Sequence, residues 1–332
     1  MTALPRLRRT IVLAAAALTA ALTFTACGSS DPDTDSDNSV SDAGYPVTVE
    51  SAYGEVTLDK RPERILVMSP AYLDMLAELD LQPVAFATGA IPAEEFDSVY
   101  PWLAGTYDGR VAPELVTTEF KPDLEEIASY EPDLILGHSW SIPEDMYDMV
   151  SKIAPTYVGT DDGSTITEWT VDMKAVGDLT GRAEAVETAL ADFDAQVARY
   201  EERVTQLKGT TYNSVAVREN GYQFGSGGWL SLLGLEPAEN QGSYTDAPLS
   251  FENMTDLSAD VLLAAAWTDE TRQRLEGDPR FPTLPATQNG TVIFSDLAMA
   301  NAATFPAPGA LVYLLDKAVP ILEASTLNKT GQ

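Results

Sequence analysis

Between Arg182 and Lys208 seven apolar residues recur at alternating steps of four and three: Val186, Leu190, Phe193, Val197, Tyr200, Val204 and Leu207. That spacing lays one unbroken apolar stripe along one side of an α-helix. No Gly or Pro interrupts it, and Gly209 follows as a stop. At about 1.5 Å per residue such a helix spans about 40 Å, which reaches across more than one lobe. A coiled-coil seam is the other reading of such a stripe. The stripe occurs once, however, and a different pattern resumes on both sides, so the helix is read as packing along two lobes.

The flanking pattern alternates short apolar runs with helical spacing. Before the helix, strands are expected at Ile65–Met68, Pro83–Ala87, Asp133–Leu136 and Thr156–Val158, with helices at Tyr72–Leu81, Leu124–Tyr130 and Tyr147–Ile153. After it come strands at Ser214–Val217, Asp260–Ala266 and Thr291–Phe294, with helices at Trp229–Leu235 and Pro308–Leu322. Alternating strands and helices imply parallel sheet. The fold class is therefore α/β: two Rossmann-like lobes, 45–181 and 209–325, joined by the single long helix 182–208.

The first 44 residues have another character. Arg6, Arg8 and Arg9 precede an uncharged apolar run from Ile11 to Ala26. The run is shorter than the roughly 20 residues of a membrane span and fits a signal peptide over 1–26. Its end, Phe24-Thr25-Ala26-Cys27-Gly28, resembles the lipobox of bacterial lipoproteins, with Phe24 where leucine is usual. The resemblance implies cleavage before Cys27, lipidation of its sulfur and acylation (palmitate among the expected chains) of the new amino group. Small and acidic residues fill the stretch after it, so 27–44 reads as a flexible tether. The expected location is the outer face of the cytoplasmic membrane.

Charge and rare residues narrow the function. With 51 acidic against 20 basic residues the net charge is −31, a surface that repels phosphate and disfavours nucleic acid. Cys27 is the one cysteine and His138 the one histidine. No intramolecular disulfide, cysteine zinc site or multi-histidine site is available, and no cofactor is implied. A Ser-His-Asp triad would have to use His138. No Gly-x-Ser-x-Gly stands in the chain, and the nearest stretch, Gly225-Ser226-Gly227-Gly228, misses it. A secreted hydrolase is the weaker reading, and a binding protein, not an enzyme, the stronger.

Five segments in order, RPERILVMSP, LDLQPVAF, LEEIASYEPDLIL, LSFENMTDLSADVLL and FPTLPATQNGTVIF, resemble the ferric-siderophore, haem and cobalamin binding proteins of ABC importers. The resemblance runs from about Gly54 to Leu322. It implies a monomeric clamshell with the ligand between the lobes and little movement on binding. It also implies partners: a ferric siderophore, a membrane permease and its ATPase. One exposed glutamate on each lobe is implied to dock on permease arginines, and Glu125 and Glu252 match those positions. Helix capping is the plainer role for both, since each sits near a helix start.

In open α/β sheets ligands meet the loops at the carboxyl ends of strands. Those loops hold Ser69, Pro70, Tyr72, Thr88, Gly89, His138, Ser139, Trp140, Arg218, Tyr222, Trp267, Asp296, Met299 and Asn301. Tyr72, Trp140, Tyr222 and Trp267 together suggest a broad, partly apolar cleft, though each also suits a partly buried core. Arg218 resembles the arginine that holds anionic iron-coordinating oxygens in siderophore binders; a salt bridge in this acidic chain is the alternative. The loop Gly221–Gly228 lacks a phosphate-loop lysine and is read as a flexible cleft wall. Siderophore binders often carry a second arginine before the first docking glutamate. Here Thr117–Lys121 offers only Lys121, which favours a ferric hydroxamate or mixed siderophore over a tris-catecholate. Haem, with His138 or a tyrosine as axial ligand, cobalamin, and an envelope-anchored sensor remain alternatives.

Overall fold

The computed structural model describes residues 44–89, 91–159 and 168–329. The expected leader 1–26, Cys27 and the tether up to residue 43 lie outside the described residues.

A hairpin of β1 (Val47–Ser51) and β2 (Gly54–Leu58) opens the described chain. There follow β3 (Ile65–Val67), α1 (Pro70–Glu78), β4 (Ala85–Phe86), α2 (Phe96–Val99) and β5 (Arg110–Val111). Next come α3 (Leu124–Ser129), β6 (Leu134–His138), α4 (Glu144–Val150), β7 (Thr156–Gly159) and α5 (Trp169–Thr180). The five strands β3–β7 form a parallel sheet in the order β5-β4-β3-β6-β7, the order of a doubly wound half-fold. Strands β3, β6 and β7 are buried along their whole length because helices cover both faces.

The linking helix is α6 (Ala183–Arg203). The second lobe contains β8 (Thr211–Arg218), β9 (Gly221–Phe224), β10 (Glu236–Pro237), β11 (Val261–Ala265), α7 (Asp269–Glu276) and α8 (Pro285–Asn289). It closes with β12 (Val292–Ser295), α9 (Leu297–Thr304), α10 (Pro308–Ala324) and α11 (Thr326–Lys329). Its parallel order is β10-β8-β11-β12, and β9 adds antiparallel to β8.

Several expectations shift. The helix expected over 182–208 ends at Arg203: Val204 leaves helical geometry (φ −128°, ψ 28°), and Thr205–Leu207 is a 3₁₀ turn. At 21 residues it is about 31 Å long. The helix expected at Trp229–Leu235 is a six-residue 3₁₀ turn, Gly228–Leu233, stopped by left-handed Gly234. Half of the expected flexible loop 221–228 is β9, paired with the end of β8. Helices α2, α5, α7, α8, α9 and α11 have no counterpart among the expected elements.

α6 packs on α5 at one side and on α10 and the 228–233 turn at the other. One apolar core runs through all of them, including Leu76, Met173, Phe193, Leu230, Leu311 and Leu315. Trp169 on α5 meets Phe193 on α6 edge-to-face at 5.2 Å. Two smaller cores, around Ile135 and around Leu262, cover the other faces of the two sheets.

α1 and α10 are joined across the lobes by a buried carboxylate. Asp74 accepts the backbone N–H of Gly309 (3.2 Å) and Ala310 (2.8 Å), the first free donors of α10 after Pro308. A Cβ at Gly309 would come within 2.7 Å of Asp74 Oδ1, so this position takes glycine. Burial pushes the Asp74 carboxyl up to about 7, against the pull of the two N–H groups and with a further push from Glu78. A folded pKa above the unfolded one means that the folded state holds the extra proton, so this contribution to stability is lost as pH rises from about 4 to about 7. Asp74→Asn keeps an acceptor oxygen and removes the titration. Thermal melts between about pH 5 and pH 8 should therefore show the wild-type midpoint falling relative to Asp74→Asn as pH rises; parallel curves would refute this. Asp74→Ala strands two donors and should cost about 1–3 kcal/mol for each at any pH in that range.

Candidate functional site

Each sheet has one point where the strand order reverses, and a loop pair opens there. In the second lobe it lies between β8 and β11. Arg218 ends β8 and Trp267 follows β11, and the Arg218 guanidinium lies 4.7 Å from the Trp267 ring centroid. That cation–π contact holds a long, exposed side chain over one spot. Beneath it is a cavity of about 440 Å³, in the size range of small-molecule sites. Ser214, Gln223 and Tyr244 supply polar lining, Trp229 and Leu314 apolar lining, and Arg218 is its one charge among the described residues.

In the first lobe the reversal lies between β3 and β6. A second cavity of about 210 Å³ opens there, walled by Met68, Pro70, Trp140 and Ser141, with Asn301 and Phe305 from the other lobe. Helix α9 forms the rim of both cavities: Ala300 and Thr304 face the first, Asn301 and Phe305 the second. Asp296 Oδ1 caps α9 by accepting the Met299 N–H at 2.8 Å. Trp140, 54 % exposed, meets Phe305 across the cleft with ring centroids 5.2 Å apart.

Behind Trp140 lies a buried polar cluster. The His138 ring stacks beneath Trp140 at 6.2 Å and 15°. Its Nδ1 is 3.0 Å from Ser69 Oγ, and its Nε2 is 3.5 Å from Asp172 Oδ2. The hydroxyls of Tyr72 (3.0 Å) and Tyr157 (2.8 Å) donate to the two oxygens of Asp172, which is wholly buried. Burial and the Asp172 charge raise the Tyr157 pKa.

Trp140, Arg218 and Trp267 thus stand at the cleft. Tyr72 does not. It is the third residue of α1, whose first seven residues are all buried, and it serves Asp172 from inside. Tyr222 does not either. It packs edge-to-face on Phe251 behind the sheet, 5.1 Å away, and burial pushes its phenol up to about 12. Of the loop residues, Pro70, Thr88, Gly89 and Asn301 line the second cavity and Met299 the first, while Ser69 and His138 sit behind the wall. Glu125 and Glu252 are both exposed. Asp123 caps α3 through the Glu125 and Glu126 N–H groups, so capping does not occupy the Glu125 carboxylate. Arg280 donates to the backbone oxygens of Phe251 and Glu252 and fixes that turn. The pattern reading misses Phe120 and Tyr244, whose one signal is an aromatic residue in a polar stretch, and Phe305, which stands among small residues and prolines.

No described helix is long and apolar enough to cross a membrane, and no described cluster of His, Cys, Asp and Glu has metal-binding geometry.

A family model for periplasmic binding proteins matches residues 65–297. The chain is 25% identical over 262 residues to the Fe(3+) dicitrate-binding periplasmic protein FecB of Escherichia coli (strain K12), covering 76% of this chain and 83% of that one. It is 27% identical over 259 residues to the probable siderophore-binding lipoprotein YfiY of Bacillus subtilis (strain 168), covering 74% and 75%. A periplasmic solute binding protein from Mycobacterium smegmatis str. MC2 155 matches it in structure with a TM-score of 0.68 at 25% identity, over 83% of this chain and 97% of that one. Doubly wound lobes, a linking helix and a cleft at their facing switch points agree with the match along the chain: it belongs to the periplasmic binding protein family.

Proposed function

We propose that this chain is a lipid-anchored solute-binding subunit of an ABC importer, one that captures a ferric siderophore and delivers it to a membrane permease. The observation that carries the reading is Arg218, held on Trp267 over a cavity of about 440 Å³ in which it is the one charge among the described residues. A guanidinium there can pair with the anionic oxygens around ferric iron, while the aromatic walls cover the organic backbone. The relatives named for ferric dicitrate and siderophore binding support the ligand class. Haem is less well supported, because both ring nitrogens of His138 face protein groups, Ser69 and Asp172.

Cys27 supplies the anchor in this reading, on the outer face of the cytoplasmic membrane. Glu125 and Glu252, exposed on different lobes, supply two carboxylates that would orient the body over a basic permease rim.

Tryptophan-fluorescence titration of the purified protein with ferric hydroxamate, mixed, citrate and catecholate chelates tests the ligand. Saturable quenching by one class is expected, and no response to any from folded protein sinks the reading. Arg218→Ala should weaken that binding by about 10- to 100-fold, the loss of one charge-assisted contact. Tyr72→Phe should lower the melting temperature, through the lost hydrogen bond to Asp172, and leave affinity within about twofold. A large affinity loss in Tyr72→Phe would return that residue to the cleft. In cells, a Glu125→Ala/Glu252→Ala double variant should reduce uptake of the ferric chelate several-fold while binding in solution is unchanged. Undiminished uptake would favour an envelope sensor over an importer subunit.

A further inference from the structure

The two cavities differ in chemistry. The one at the second lobe has Arg218; the one at the first has no charged residue among its described lining and is walled by Ile91, Tyr100, Val116, Trp140 and Phe305. Burial pushes the Tyr100 phenol up to about 12, so that wall stays neutral. The apolar cavity lies at the switch point of its sheet and shares the α9 rim with its charged neighbour, so both belong to one cleft.

Its outer edge is Phe120, at the tip of a pinned loop. Val116 and Pro122 pair as a bridge, Thr117 N–H donates to the Lys121 carbonyl at 2.8 Å, and Phe120 N–H donates to the Thr117 carbonyl at 2.9 Å. Thr117 Oγ1 accepts the N–H groups of Glu119 and Lys121. This holds Phe120 at φ 59°, the left-handed region, with the residue 64 % exposed. A bulky aromatic residue there is a conformational outlier, and folding alone gains nothing from leaving the ring in water. Glycine or asparagine would suit the backbone better. Conformation and exposure thus both favour a smaller residue, which points to an occupant that covers the ring.

We infer that the first-lobe cavity is an apolar subsite, capped by Phe120, that selects ferric chelates bearing an apolar arm, an acyl chain or aryl group, alongside a neutral or weakly anionic iron centre. The inference rests on the ferric-chelate reading above and adds the class of chelate. The arm lies between Phe120, Trp140 and Phe305, and the iron-coordinating oxygens face Arg218. Phe120 is the specificity-determining residue.

Two probes of equal charge isolate the arm: the ferric complexes of N-acetyl- and N-octanoyl-desferrioxamine B, which have the same three hydroxamates and differ only in acyl length. The wild-type protein should bind the octanoyl chelate at least about tenfold more tightly, the gain expected from two buried methylenes. In Phe120→Gly the ratio should fall below about threefold while the melting temperature holds or rises, because the left-handed turn is relieved. Phe120→Leu should keep most of the ratio, and Arg218→Ala should weaken both chelates and preserve it. Equal affinities in the wild type, or an intact ratio in Phe120→Gly, would overturn the inference and leave the importer reading standing. Phe120→Gly that cuts cellular uptake with an unchanged ratio would also overturn it and make Phe120 a permease contact. If neither chelate binds, the desferrioxamine scaffold is refused, the ferric-chelate reading stands or falls on the four-class titration above, and the uncharged fluorophore N-phenyl-1-naphthylamine decides the subsite. One saturable fluorescence rise, weakened in Phe120→Gly and Trp140→Ala, keeps it; no rise removes it.

Discussion

The lobes of this protein are held by one apolar core that neither owns alone. α6 is its spine, with α5 of the first lobe on one side and α10 of the second on the other. Each Leu or Phe buried there contributes about 1.5–3 kcal/mol relative to exposure. A wide hinge opening would have to part several of them and pull the Asp74 carboxylate from the start of α10. The cleft is therefore largely formed before ligand arrives, and binding energy is not spent on ordering two free bodies. This packing is a physical reason to expect the small motion that the family resemblance implies.

The same arrangement reconciles an acidic chain with an anionic ligand. A net charge of −31 repels anions at long range, but charges beyond about 8 Å are largely screened at physiological ionic strength. Among the described residues that line the larger cavity, Arg218, fixed by Trp267, is the one charge. Selectivity is then a matter of contact. One guanidinium satisfies a weakly anionic chelate and leaves a highly charged one undercompensated, which agrees with the lack of a second arginine at 117–121.

The alternation of strands and helices, the linking helix, and Trp140, Arg218 and Trp267 at the strand ends were legible because each depends on local periodicity and one topological rule. Parity and enclosure were not. The Gly-rich stretch 221–228 reads as loop, so no alternation assigns its residues to faces. Once it pairs with β8, Tyr222 turns behind the sheet and its neighbour Gln223 faces the cavity. Tyr72 follows a strand end as the rule requires, but α1 is covered on nearly every side in its first two turns. The positions of α5, whose Asp172 takes the Tyr72 hydroxyl, and of α10, both far along the chain, reveal that. α5 went unread because its Met173, Val176 and Leu179 face a core assembled from both lobes. Phe120 depends on a single residue's left-handed backbone, which no apolar pattern records.

The lone histidine shows how far residue type falls short of role. His138 ends a strand at a switch point, where an imidazole invites a metal or a proton. Here it is spoken for on every side. Ser69 takes one nitrogen, Asp172 faces the other, Tyr72 lies against one side of the ring and Trp140 covers the cleft side. Asp172 in turn needs the hydroxyls of Tyr72 and Tyr157, because a buried carboxylate without donors is costly. Gly159 must lack a side chain, since a Cβ would collide with the Tyr72 hydroxyl and the Asp172 carboxylate. The cluster therefore acts on the cleft at one remove. It fixes the imidazole, the imidazole supports Trp140, and Trp140 is the wall that meets Phe305 from the other lobe. Those supporting hydrogen bonds lie behind the wall, outside the lining of both cavities.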